Sequence, residues 1–67
     1  VTQQDHLIYM ANQIARNLAI QGEAEAVAET AAHIRAFWDP RMKAAILADR
    51  TGLDPIAAAA VEAIARS

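Results

Sequence analysis

The chain has 67 residues, a net charge of −2 and no cysteine, with 55% of its side chains apolar. That length allows one domain, 1–67, whose core alone rarely supplies more than ~3–5 kcal/mol of net stability. Lack of cysteine excludes disulfides, thiolate zinc sites and iron–sulfur clusters held by this chain, and six dispersed Lys and Arg residues form no basic stripe for a nucleic-acid backbone.

Four helices are expected in chain order. The first covers about residues 3–20, with Leu7, Ala11, Ile14 and Leu18 at the spacing of one helix face and Gly22 as its stop. The second covers about 23–38. Glu23 and Glu25 suit the positive end of its dipole, and Val27, Ala31, Ile34 and Trp38 form its apolar stripe. Alanines on the facing sides predict an antiparallel hairpin of these two helices, joined by a very short turn. The third starts at Asp39-Pro40, where the carboxylate caps free N–H groups and Pro tolerates the first helical position. It runs to about residue 50, turns Met42, Ala45 and Ile46 inward, and ends at Gly52. Asp54-Pro55 repeats the device and opens a fourth helix, to about residue 65, with Ile56, Ala60, Val61 and Ile64 on its apolar side. No segment alternates like a strand. The fold class is therefore all-α, a small compact bundle of about four short helices.

Candidate chemistry is sparse. Glu23, Glu25 and Glu29 read as solvated charges on a polar helix face, and Asp39 and Asp54 as caps. His6 and His33 lie far apart and form no His-x-x-x-His pair, so neither a metal site nor an acid–base pair is expected. Asn12 and Gln13 sit beside the stripe of the first helix, where their amides either bond a neighbouring chain or face water. No uncharged stretch, 55–61 included, is long enough to span a bilayer, and the N-terminus has no leader-like pattern of basic then apolar residues.

The densest feature is the stretch 37–42, which holds the only Phe, the only Trp and one of two prolines. Phe37 and Trp38 sit about 100° apart around a helix that ends where the next begins, so they face different neighbours. One is expected to fill the core and the other to lie at a partner interface. Arg35 and Arg41 flank them, and Arg and Trp are enriched at interface centres. Large apolar residues are few, so a bound partner is the expected source of extra stability. The expected interface comprises Arg35, Phe37, Trp38, Asp39, Pro40, Arg41 and Met42.

Met10-Ala11-Asn12-Gln13-Ile14-Ala15, Gly22-Glu23-Ala24, the run from His33 through Phe37-Trp38-Asp39-Pro40-Arg41-Met42, and Gly52-Leu53-Asp54-Pro55 together resemble the delta subunit of the soluble, molybdenum-dependent, NAD-reducing formate dehydrogenases of bacteria. The resemblance covers about residues 7–64 and is most specific at 37–42. It departs from the pattern at Tyr9, where a basic residue is expected. It implies a non-catalytic cytoplasmic subunit with no cofactor of its own. The implied complex carries bis-molybdopterin guanine dinucleotide, iron–sulfur clusters, FMN and NAD on other subunits. The large molybdenum-containing alpha subunit is the implied partner, with contacts to other subunits besides. Implied roles are assembly, cofactor retention or stability of the heteromer, with formate oxidation and NAD reduction taking place elsewhere. A free-standing homo-oligomeric helical protein is the alternative that the residues leave open.

Overall fold

The computed structural model describes residues 2–66 and is built from α1 (Gln3–Leu18), a 3-10 turn (Ala19–Gln21), α2 (Glu23–Phe37), α3 (Pro40–Ala48) and α4 (Pro55–Arg66). Among the described residues there is no strand. The expected fold class holds. So does the antiparallel hairpin, in which α1 and α2 pack together across the 3-10 turn and Gly22.

Local chemistry sets each boundary. At the start of α1, the Thr2 hydroxyl accepts from the Asp5 N–H at 3.1 Å while the Asp5 carboxylate accepts from the Thr2 N–H at 3.3 Å. This reciprocal cap satisfies two donors, and its Thr-x-x-Asp spacing was readable in the sequence. The last turn of α1 tightens into the 3-10 turn, so α-helix ends at Leu18 rather than at residue 20. Gly22 then takes φ +105°, a backbone conformation that a Cβ would strain. The start of α3 is as expected: Asp39 is extended and its carboxylate accepts from the Met42 N–H at 2.8 Å, with Pro40 in the first helical position. The start of α4 is at Pro55, as expected, with the Asp54 carbonyl accepting from the Ala58 N–H, but the Asp54 carboxylate caps no N–H among the described residues and lies 4.0 Å from Arg16 instead.

The end of α3 differs from expectation. The helix stops at Ala48, and Asp49 swings to φ −142°, ψ 109°. Its carboxylate accepts from the Thr51 N–H at 3.0 Å, a local bond that competes with another helical turn. Gly52 is not the terminator. It occupies the third place of a turn closed from the Leu53 N–H to the Arg50 carbonyl, with φ +92°.

A single core joins Leu7, Ala11 and Ala15 of α1, Ile34 of α2, Trp38, Ile46 of α3, and Ala57 and Val61 of α4. Against expectation, the buried row of α1 runs through Ala15, while Ile14 and Leu18 are half-buried. On α2, Ala26 and Thr30 are fully buried and Val27 is only half-buried. The reason is packing partner: α2 packs most extensively on α4, with α1 second. Small side chains at Ala26, Ala31, Ala57 and Ala60 are all buried and permit that close approach.

Candidate docking corner between α2 and α3

The corner is built by two hydrogen bonds on either side of Trp38. Its N–H donates to the Ile34 carbonyl at 3.0 Å, closing α2, and at the next residue the Asp39 cap opens α3. Trp38 itself is extended. The chain therefore changes direction within two residues, and the adjacent rings part company. Trp38 is 4% exposed and belongs to the core, whereas Phe37 is 74% exposed. The core ring of the expected pair is Trp38, which is thereby removed from the accessible surface: the indole holds the corner from beneath. The Phe37 ring is braced on its own helix by His33, with ring centroids 4.7 Å apart and planes tilted by 40°.

The remaining expected residues surround Phe37 unevenly. Asp39, Pro40 and Arg41 are exposed, and Met42 is half-buried against the core. Arg35 is exposed along its chain yet donates to the Ala63 carbonyl at 3.2 Å, tying the end of α2 to α4. The Asp39 carboxylate is occupied by its cap. Phe37 and Arg41 are thus the members with most side chain left to offer.

The amide pair on α1 resolves into a structural role for Asn12. Its Nδ2 donates to the Gly52 carbonyl at 3.0 Å and its Oδ1 accepts from the Asp54 N–H at 2.7 Å. Gln13 is exposed. Gln4 plays a similar part that sequence reading missed: its Nε2 donates to the carbonyls of Ala45 and Asp49, both at 2.9 Å, at the end of α3. These bonds join residues about forty apart, and no local pattern announces them.

Electrostatics elsewhere are those of a solvated surface. Glu62 accepts from Arg50 at 2.6 Å and from Arg66 at 3.4 Å, and the Arg50 hydrogen bond and charge hold its carboxyl below the usual range. The Thr51 N–H and hydroxyl do the same for Asp49. Among the described residues, no group of three or more His, Asp or Glu side chains stands close enough to hold a metal ion. No described helix is long and apolar enough to cross a membrane. An open depression runs along the outer face of α2 beside Glu25, Glu29 and His33 and ends at Phe37.

A four-helix fold with the Phe37 ring turned outward at a capped corner defines a small all-α protein. The family of the "NADH-dependant formate dehydrogenase delta subunit FdsD" matches residues 6–61, and the chain belongs to that family. No curated protein and no solved structure matches it.

Proposed function

We propose that this chain is a non-catalytic accessory subunit that docks on the large molybdenum-containing subunit of an NAD-linked, cytoplasmic formate dehydrogenase. It contributes buried surface to assembly, cofactor retention or stability of the heteromer, and the redox groups reside on the other subunits. Family membership supports the complex, and the exposed ring of Phe37 supports the place of contact. An aromatic ring held by a capped corner and braced by His33 has little ordering entropy left to lose on docking. Arg35, Asp39, Pro40, Arg41 and Met42 surround it, and Trp38 supports it from the core.

Co-purification of variants with the other subunits, alongside circular dichroism of the free chain, tests the reading. Phe37→Ala should keep full helical content and weaken association by ~2 kcal/mol or more, as truncation of a central interface residue does. Trp38→Ala should act through folding instead, with a loss of ~3–5 kcal/mol typical of a truncated core aromatic. A folded Phe37→Ala chain that assembles like the wild type would remove the corner from the interface.

A further inference from the structure

Residues four apart form rows along α2. The row Ala26, Thr30 and Ile34, continued by Trp38, is buried from end to end. On the opposite side two neighbouring rows are exposed from end to end. One is alanine throughout (Ala24, Ala28, Ala32 and Ala36), and the other is Glu25, Glu29, His33 and Phe37. From Glu25 to Phe37 these two rows line the open depression on the outer face of the helix. The exposed row of α1, by comparison, is Asp5, Tyr9, Gln13 and Asn17, polar but for one ring. Alanine favours helix, so a single exposed alanine needs no account. A whole row without a polar side chain, beside an exposed phenyl ring, leaves α2 apolar on two opposite sides. A helix of that kind is normally covered on both, and this chain covers one.

The groove between two rows of residues four apart receives a similar row of another helix, and a floor of alanine lets the two axes come close. Glu25 and Glu29 stand along one wall with no ion pair among the described residues. Glu25 suits the first turn of α2, but Glu29 lies beyond that turn, where the helix dipole gives no reason for it. Resting on the docking role proposed above, we infer that the outer face of α2 receives a basic amphipathic helix of a different chain. Its apolar ridge lies over the alanine row and against Phe37, and its Lys or Arg residues meet Glu25 and Glu29. The ridge supplies the contact, and the charges supply steering and register. A second copy of this chain is a poorer occupant, because the same face turned on itself gathers four glutamates at one seam.

Titration of the 67-residue chain into the formate dehydrogenase assembled without it tests the inference. The double variant Ala28→Gln, Ala32→Gln places two long side chains on the groove floor, at exposed positions where glutamine keeps good helix propensity. Its helical content and thermal midpoint should stay those of the wild type, while binding weakens by roughly tenfold or more at every salt concentration. The double variant Glu25→Gln, Glu29→Gln should bind about threefold or more weakly at about 0.05 M salt. That difference should fade by about 0.5 M, where exposed charge pairs are screened. Normal or tighter binding by either variant would overturn the inference, and a Phe37→Ala chain that still binds weakly would leave the docking corner standing without it. A wild-type chain that fails to bind at any salt concentration would overturn both. Self-association of the wild type, lost in the alanine-row variant, would give this face to a second copy and overturn the choice of a basic helix.

Discussion

Thr30 lies fully buried on α2, and its hydroxyl has no hydrogen-bond partner among the described residues. A buried donor left without a partner costs about 1–3 kcal/mol, whereas an apolar group of the same shape costs nothing of the kind. Thr30→Val should therefore raise stability by about 1 kcal/mol, measured as an increased denaturant midpoint at unchanged slope. An unchanged or lowered midpoint would mean that the hydroxyl is satisfied in solution. Sequence reading could not find this residue, because a threonine among alanines carries no periodic signal. It did find the aromatic pair, since adjacent rings on a helix must diverge. Choosing between them required the turn at Trp38, which sends the indole inward and leaves Phe37 outside.

The helices were legible where punctuation was chemical. Asp39-Pro40 opens α3 through its carboxylate cap, and α4 begins at Pro55 where the second Asp-Pro pair predicts a start. They were less legible where a residue could obey either of two local rules. Asp49 could have continued α3, yet its carboxylate closes a short turn with Thr51 and ends the helix early. Packing faces blurred for a further reason: when most positions of α2 and α4 are alanine, the 3.6-residue stripe can rotate by one position with little change in apolar content. The loop between α3 and α4 also makes an acid prediction. Asp49 and Glu62 have folded-state pKa values below their ordinary 3.8 and 4.5. The unfolded chain therefore binds their protons first, so their contribution to stability is complete above the ordinary values and is lost as pH falls through the folded ones. Glu62→Gln should be less stable than wild type at neutral pH, with the difference closing once the pH is low enough to protonate this carboxyl in the folded chain. A difference that persists at that pH would assign the effect to packing and not to the Arg50 and Arg66 pairs.

As a whole molecule, the chain closes its core largely with alanine, and Ile34, Ile46 and Val61 are among its few larger side chains with no exposure. Such a core supplies at most ~3–5 kcal/mol in a chain of this size. The purified 67-residue chain should accordingly unfold at low denaturant and rise in thermal midpoint when the other subunits are added, since binding to the folded state alone stabilises it. A high midpoint with no response to added subunits would count against the accessory role. The same weakness makes Trp38 indispensable: the loss expected from its truncation is as large as the stability of the whole chain.

The hydrogen bonds from α1 to the end of α3 have a consequence for when the corner comes into being. Nine residues of helix are too few to persist alone in water. What holds α3 arrives from far upstream, through Gln4 to Ala45 and Asp49, and through Asn12 to Gly52 and Asp54. During synthesis the two amides emerge first and wait for their acceptors. The last of these bonds forms only once Asp54 has left the ribosome, and the Phe37 corner is aimed only then. A nascent or broken chain would present the ring without its bearing, so a partner that docks as proposed would select a chain that has already folded.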